Sequence, residues 1–232
     1  MDCLSCNNTQ CVIKKNIKQE KIREFITQKA TLRCKKGQSF IIEGSPVHGL
    51  YFVQDGKVKV AKTGLNGKEQ IVRFTGNGET VGHRGFGGGI SYQINAVALE
   101  TTILCSFSSD TLHNMLMEVP TLTYDLMTFY AEELNRSETK VKKFAQMTVR
   151  EKVIDALLYL NRKFGRTNDL LNLQLSRKEI SDFAGTTEEQ VIRTLSALRK
   201  EGLIETPGKR ISIKNVELLR KEISEHNYFL DS

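Results

Sequence analysis

The pattern of apolar and polar positions changes twice along the chain. Between residues 31 and 107, short runs of β-forming residues alternate with turn glycines, and Val58 and Val60 alternate with lysines in the two-residue period of a half-buried strand. Short strands at regular spacing, with turn signals between them, predict an antiparallel β-roll. The runs expected to form strands are residues 39–42, 50–53, 57–62, 70–75 and 103–107.

A second pattern begins at Pro120 and continues to about residue 148. Apolar residues there recur at mostly three- and four-residue steps without an internal glycine or proline, which predicts one long amphipathic helix. A long helix that joins two domains often forms a coiled-coil seam with a second copy; the alternative is that it packs on its own β-roll. The residues expected in a dimer seam are Leu126, Phe129, Tyr130, Leu134 and Val141.

The third part of the chain is expected to be helical with one late hairpin. Ser176 and Thr187 each stand three residues before a Glu or Gln, which is the capping-box pattern that marks the start of a helix. The two starts lie eleven residues apart, with Gly185 in the turn between them. This spacing predicts a helix-turn-helix.

The second helix of this pair, over about residues 187–200, carries a polar outer face suited to reading DNA. Arginine can bind guanine through two hydrogen bonds, glutamate accepts from cytosine, and an exposed isoleucine contacts a thymine methyl group. A turn at Pro207-Gly208 predicts a two-stranded wing with basic residues at its tip for phosphate. The alternative is a surface helix whose acidic residues complement the helix dipole. The residues expected to contact DNA are Arg177, Thr187, Glu188, Glu189, Ile192, Arg193, Lys209 and Arg210.

The composition is that of a folded protein with room for two domains. The 232 residues include 39% hydrophobic and 26% charged side chains, and the net charge of +7 is compatible with a polyanionic partner. The expected fold class is α+β. We expect a cysteine-bearing segment and sensory β-roll over residues 1–119, a linking and dimerisation helix over 120–148, and a DNA-binding domain over 149–232.

Other classes of protein are disfavoured by the sequence. The start MDCLSC is neither apolar nor basic enough for a signal peptide, and no apolar run reaches the length of a membrane span. We therefore expect a cytoplasmic protein without a membrane partner. No nucleophile stands beside a base in the sequence, and carboxylate pairs and zinc-protease helices are missing, so an enzyme is not expected.

Candidate metal ligands are concentrated at the N-terminus, where Cys3, Cys6 and Cys11 form a C-x2-C-x4-C pattern. Two intervening residues let a pair of sulfurs face the same ion or cluster, and thiols in a reducing cytoplasm stay free of disulfides. Three clustered ligands need a fourth, and Cys105 stands alone downstream. On this pattern an iron–sulfur cluster, a zinc ion and redox-active thiols all remain open.

The order of β-roll, long helix and winged helix-turn-helix resembles the CRP/FNR family of bacterial transcription regulators over essentially the whole chain. The resemblance is carried by K-K-G-Q-S-F-I-I-E-G, L-Y-F-V-Q-D-G-K-V-K-V, G-N-G-E-T-V-G and L-S-R-K-E-I-S-D-F-A-G-T-T-E-E-Q-V-I-R-T-L. It implies a homodimer on a palindromic site in double-stranded DNA, with RNA polymerase as a further partner. The family's E-x-x-x-R pair matches Glu189 and Arg193, while Ile192 replaces the Ser or Thr usual in FNR-like members.

The family's cyclic-nucleotide pocket is not reproduced in the sequence. The position of its ribose-binding acid holds His83, and residues 91–96 contain no arginine for the cyclic phosphate. A phosphate buried without a cationic partner loses a charge-assisted hydrogen bond and retains its desolvation cost. Cyclic AMP is therefore not expected as a ligand.

The cysteines instead resemble those of the FNR branch, in which three N-terminal cysteines and one in an A-L-E-T-x-x-x-C stretch hold a [4Fe-4S] cluster. Residues 98–105 match that stretch, so the resemblance implies Cys3, Cys6, Cys11 and Cys105 as ligands, with Cys34 an ordinary thiol. The third spacing is one residue shorter than in the best-known member. We expect DNA affinity controlled by an oxygen- or redox-sensitive cluster. The alternative is a regulator that senses another small ligand in the β-roll, with cysteines that bind zinc or act as free or redox thiols.

Overall fold

The computed structural model of the protein describes residues 2–86 and 89–226. The chain forms two compact units, Met1–Leu134 and Asn135–Ser232, which are described separately. Of the helices in the described ranges, none combines the length and the apolarity that crossing a bilayer requires.

The first unit contains two four-stranded antiparallel sheets, so the predicted β-roll is confirmed. One sheet has the strand order β1-β8-β3-β6 and the other β2-β7-β4-β5. The strands that these labels denote are β1 Ala30–Cys34, β2 Ser39–Ile41, β3 Gly49–Asp55, β4 Val58–Thr63, β5 Glu69–Thr75, β6 Thr80–Val81, β7 Asn95–Ala98 and β8 Thr102–Ser108.

The sheet that contains β3 and β8 is apolar on both faces. Successive residues of a strand point to opposite sides, and accordingly Val53 and Leu104 enter the cluster inside the roll, whereas Phe52 and Phe107 enter a second cluster outside it. Side chains from the N-terminal segment, among them Ile13, belong to this outer cluster. Three helices contribute side chains to this outer cluster: α1 Val12–Lys15, α2 Glu20–Ile26 and α3 Ser109–Glu118.

The long helix predicted from residue 120 is α4, Pro120–Gln146. Within the first unit its side chains Leu122 and Leu126 are buried. Glu133 is buried as well, and its carboxylate lies 2.9 Å from the guanidinium of Arg73 on β5, whose side chain is 13% exposed. Apolar packing and a largely buried ion pair therefore hold the first half of α4 to the β-roll.

The second unit starts its helices at the capping residues that the sequence indicates. Ser176 and Thr187 each accept a hydrogen bond from the backbone three residues later, and each capping box is complete. Gly185, with a left-handed φ of +67°, ends the first helix of the helix-turn-helix. The helices of this part are α5 Val149–Phe164, α6 Arg177–Ala184, α7 Glu188–Lys200 and α8 Val216–Glu222.

The prediction of a single hairpin in this unit was wrong, because two hairpins form one small sheet with the order β11-β12-β10-β9. The additional turn consists of Asn168 and Asp169, which both have positive φ, at 50° and 63°. Two consecutive left-handed residues are typical of a type I′ hairpin turn. Strands of two residues carry too little alternation to be recognised from sequence. The strands are β9 Arg166–Thr167, β10 Leu170–Leu171, β11 Ile204–Glu205 and β12 Ser212–Ile213.

The contact between β3 and β8 predicts a strong dependence on Gly49. A Cβ at this position would lie 1.9 Å from the Phe107 carbonyl oxygen, so Gly49→Ala should lower the free energy of unfolding by about 3 kcal/mol or more. Gly44 has a φ of +87° and open space around its Cβ position, so Gly44→Ala should cost about 1–2 kcal/mol from backbone strain alone. Urea unfolding measures both variants, and equal losses would contradict the close approach.

A candidate thiolate centre and a candidate nucleic-acid interface

The four cysteines singled out from the sequence line one cavity in the first unit. Its volume is about 30 Å³, and Cys3, Cys6, Cys11 and Cys105 all contribute to its wall. Cys11 stands immediately before α1, and Cys105 lies on β8 opposite Phe52 of β3. Cys34 is fully buried inside the β-roll instead. The fold thus separates one thiol from the other four.

The loop that carries three of these cysteines is held by side chains that sequence reasoning did not select. Asn8 donates through Nδ2 to the backbone oxygen of Gln54 at 2.7 Å. Lys14 on α1 donates through Nζ to the backbone oxygens of Cys3 at 3.2 Å and Leu4 at 2.9 Å. The loop is therefore attached both to β3 and to the helix that follows it.

Burial and mutual proximity both disfavour the thiolate forms in this cavity. Burial is the main cause that raises the pKa of Cys3 to about 11; the nearby Cys105 and Cys11 act in the same direction, and Lys29 opposes the rise. Burial is also the main cause of the raised pKa of Cys11, where Cys6 and Cys105 contribute in the same direction. Ionisation of Cys3 and of Cys11 is therefore disfavoured both by burial and by neighbouring thiols.

The donor set fits a thiolate-bound metal centre, because four cysteines are the ligand set of [4Fe-4S] clusters and of many structural zinc sites. In the side-chain orientations present, no group of three or more His, Cys, Asp or Glu residues in the described ranges converges closely enough to hold an ion. Cys105 instead donates its S–H to Gln54 Oε1 at 3.3 Å, and Lys29 Nζ lies 3.7 Å from its sulfur. Ligation therefore requires the cysteine side chains to turn toward a common point.

His83, at the position of the ribose-binding acid, is a buried residue of the roll. Its ring packs edge-on against Phe129 and Tyr130 of α4, at centroid distances of 4.9 and 5.6 Å. Burial and the positive charge of Arg73 lower the pKa of His83 to about 3, so the ring is neutral at pH 7. The side chain of Glu133 lies 3.7 Å away. Two aromatic rings and the Glu133 carboxylate thus border the imidazole.

Only part of the dimer seam expected from sequence is free to meet a second copy. Leu134 and Val141 are 62% and 68% exposed, but Leu126 is 7% exposed and packs within its own unit. Sequence reasoning missed Tyr124 and Met127, which are 65% and 60% exposed. The positions 127, 134 and 141 repeat every seven residues, and 124 and 131 stand three residues before 127 and 134, which is the spacing of a coiled-coil seam. This heptad repeat is the sequence signal that could have identified Tyr124 and Met127 as seam residues.

In the second unit, α7 exposes the side chains expected to read DNA. Val191 on its opposite face is fully buried, while Ile192 is 48% exposed. Glu189 and Arg193 form an ion pair at 2.5 Å with side chains 71% and 76% exposed. Glu188 is exposed in the first turn of the helix. Glu189 and Arg193 are therefore accessible in the first half of α7, and they already form an ion pair with each other.

Basic residues of the wing lie close to the start of α6. Lys209 and Arg210 are exposed in the turn after Gly208, whose φ is +61°. Arg177 donates through Nη1 to the Lys209 backbone oxygen at 3.4 Å. Three cationic side chains therefore stand within one region of the second unit, where they could contact a phosphate backbone.

A β-roll followed by a long helix and a winged helix-turn-helix defines a DNA-binding transcription regulator. The sequence matches a cyclic nucleotide-binding domain over residues 31–119 and a Crp-like helix-turn-helix domain over residues 151–222. The chain belongs to the CRP/FNR family and is FNR-like, as its sequence motifs indicate.

Relatives of known name cover almost the whole chain. The fumarate and nitrate reduction regulatory protein of Escherichia coli (strain K12) is 26% identical over 223 residues, which are 94% of this chain and 88% of that protein. The anaerobic regulatory protein of Pasteurella multocida is 25% identical over 94% of this chain and 81% of its own length. Among solved structures, FixK2 from Bradyrhizobium japonicum is similar with a TM-score of 0.74 and 25% identity, covering 83% of this chain and 96% of that one.

The separation of the five cysteines predicts two classes of thiol in the reduced, metal-free protein. The four that line the cavity should react with a water-soluble disulfide reagent in the native state, whereas Cys34, buried at 0% exposure, should react only after unfolding. Absorbance at the wavelength of the released thiolate counts both classes. Cys34→Ser should remove the slow class alone, and five thiols with one common rate would contradict the fold.

Proposed function

We propose that this chain is a sequence-specific transcription regulator whose DNA affinity depends on an oxygen- or redox-sensitive [4Fe-4S] cluster held by Cys3, Cys6, Cys11 and Cys105. The observation that carries the proposal is the cavity that these four cysteines share. The names of two relatives, which refer to fumarate and nitrate reduction and to anaerobic regulation, support an oxygen-related signal.

The four cysteines would join two parts of the first unit that are distant in sequence. Cys3, Cys6 and Cys11 precede α1, and Cys105 belongs to the sheet on which the N-terminal helices pack. A bound cluster would supply iron cations that stabilise the thiolates and a centre that oxygen can attack. Ligation would fix the N-terminal segment on β8, and loss of the cluster would release this link while the protein's own contacts persist.

Two copies would pair through the exposed heptad of α4, with Met127, Leu134 and Val141 repeating along the seam. The two α7 helices would then enter successive major grooves of a palindromic site, about 34 Å apart. Arg193 would bind guanine, Glu189 would accept from cytosine, and Lys209 with its neighbours would contact phosphate. RNA polymerase is the expected partner of the DNA-bound dimer, and the cytoplasm is the expected compartment.

The sensory ligand is proposed to be the cluster and not cyclic AMP. The imidazole of His83 and the rings of Phe129 and Tyr130 are in mutual contact. A neutral imidazole cannot replace the carboxylate that would accept from a ribose hydroxyl with charge assistance. The binding of zinc by the same four thiols is the alternative that the donor set supports, and metal analysis separates the two.

The cluster proposal predicts a coloured protein after anaerobic purification, with about four iron and four sulfide ions per chain. Its affinity for a specific site should fall by about 5- to 150-fold on exposure to air, the usual range of coupling between two sites. Cys105→Ser should abolish iron uptake, whereas Cys34→Ser should not, because Cys34 lies inside the roll. Colourless protein with unchanged DNA binding would refute the proposal, and one zinc ion per chain would favour the alternative.

The DNA-reading assignment predicts a difference between base and phosphate contacts. Arg193→Ala should cost about 1–3 kcal/mol on the specific site and relax the preference at one base pair. Lys209→Ala should instead weaken binding to specific and random DNA by the same factor. Fluorescence anisotropy at fixed salt measures both.

A matched control for these variants is Arg220→Ala. Arg220 is an exposed arginine paired with Glu217 on α8, as Arg193 is paired with Glu189 on α7. It should leave both affinities within a factor of about two, since it removes a surface ion pair outside the proposed interface. An equal loss for Arg193→Ala on specific and random DNA would contradict its role in base reading.

A further inference from the structure

The short helix α1 is attached to its surroundings at both ends and along its side. Cys11 stands at its start and lines the cysteine cavity. Lys14 binds the backbone of the Cys3 loop, as described above. Asn16 ends the helix, and its backbone N–H donates to the Ile13 oxygen at 3.2 Å. A displacement of Cys11 therefore acts on Asn16 across a single helical turn.

Asn16 is 5% exposed, and two of the three hydrogen bonds of its side chain join it to α4. Its Nδ2 donates to Asp125 Oδ2 at 2.7 Å and to the Val12 backbone oxygen at 3.0 Å. Its Oδ1 accepts from the Thr121 hydroxyl at 2.6 Å. A buried amide with donors and acceptors both used fixes the position of its neighbours, because any shift would leave polar groups unsatisfied.

The two partners of Asn16 stand at the start of the helix that carries the proposed dimer seam. Thr121 and Asp125 are four residues apart and so lie on one face of α4. Tyr124 and Met127, which are mostly exposed, belong to the same first two turns. Ile13 of α1 and Leu122 of α4 also share one buried cluster. Polar and apolar contacts thus join the cysteine-bearing segment to the part of α4 next to the seam.

We propose that Asn16 is the positioning residue that couples the cysteine centre to dimerisation. When Cys11 is held by ligation, α1 is fixed, and Asn16 then holds the first two turns of α4 in the orientation that presents Tyr124 and Met127 to a second copy. When Cys11 is released, α1 is held by its own contacts alone and gains freedom, so the hydrogen bonds to Thr121 and Asp125 hold that orientation less strongly. The inference rests on the proposed function, for which it supplies the physical connection.

Because coupling between two sites is reciprocal, the proposal can be tested from either end. From the cysteine end, sedimentation equilibrium gives the dimer dissociation constant of cluster-loaded and of cluster-free protein, and their ratio measures the coupling. Asn16→Ala should bind the same amount of iron and sulfide but reduce this ratio by about ten-fold, as expected for the loss of a few buried hydrogen bonds. Asp125→Ala, at a less buried position, should reduce the ratio in the same direction.

From the dimer end, the measurement uses reduced protein without iron. The rate at which iodoacetamide alkylates Cys11, followed by peptide mass spectrometry, should fall several-fold as the wild-type concentration rises through the dimer dissociation constant. In Asn16→Ala this dependence on concentration should disappear. A purely structural role for Asn16 would change the rate at all concentrations and leave the dependence intact.

Asn95→Ala is the matched control, since Asn95 also makes three side-chain hydrogen bonds, to Glu43 and Thr63 within the roll. It should lower stability without changing the ratio or the concentration dependence. An Asn16→Ala protein that retains both wild-type couplings would overturn the proposal. Wild-type protein that takes up no iron and sulfide would refute the proposed cluster, and the alkylation experiment would still decide the role of Asn16.

Discussion

The burial of the outer face of the sheet that contains β3 and β8 is the constraint on which the first unit depends. Phe52 and Phe107 project from that face, and Ile13, Ile22 and Phe25 from the N-terminal segment cover them in one buried cluster. At about 25 cal/mol per Å² of apolar surface, covering large side chains contributes more than any single polar contact nearby. The cysteine loop is therefore brought to β8 mainly by hydrophobic packing, and Cys3, Cys11 and Cys105 border the same cluster.

Electrostatics in the cavity act against the thiolate forms that a metal centre requires. Burial raises the pKa of Cys105, and the charge of Lys29 lowers it in part. Hydrophobic packing brings the sulfurs together, but a cation is needed before they become stable as anions. Metal affinity at such a site depends on pH and is linked to the local structure. The apolar cluster and the proposed metal centre thus have separate energetic roles in one place.

Much of this architecture could be predicted from sequence, since local signals agreed with the final fold. The capping boxes at Ser176 and Thr187 mark helix starts that the structure contains, and the glycine-punctuated strands mark the roll. The features that were not predicted correctly are those that depend on packing against the rest of the fold. The single turn of α1 has no periodicity to detect, and β9 and β10 are two-residue strands. Leu126 was assigned to the seam because α4 has two apolar stripes, and only tertiary packing decides which one is covered.

The attachment of the cysteine loop lowers the entropy cost that the proposed metal centre would have to overcome. Asn8 binds the Gln54 backbone, and a Cβ on Gly78 would lie 3.2 Å from the Cys11 nitrogen, so the loop rests closely on the turn before β6. These contacts are made by the polypeptide itself and restrict the loop's freedom in advance. Preorganisation of this kind reduces the ordering cost that a ligand must overcome. The proposed metal centre would therefore be bound at a smaller cost in loop entropy than one held by an unrestrained segment.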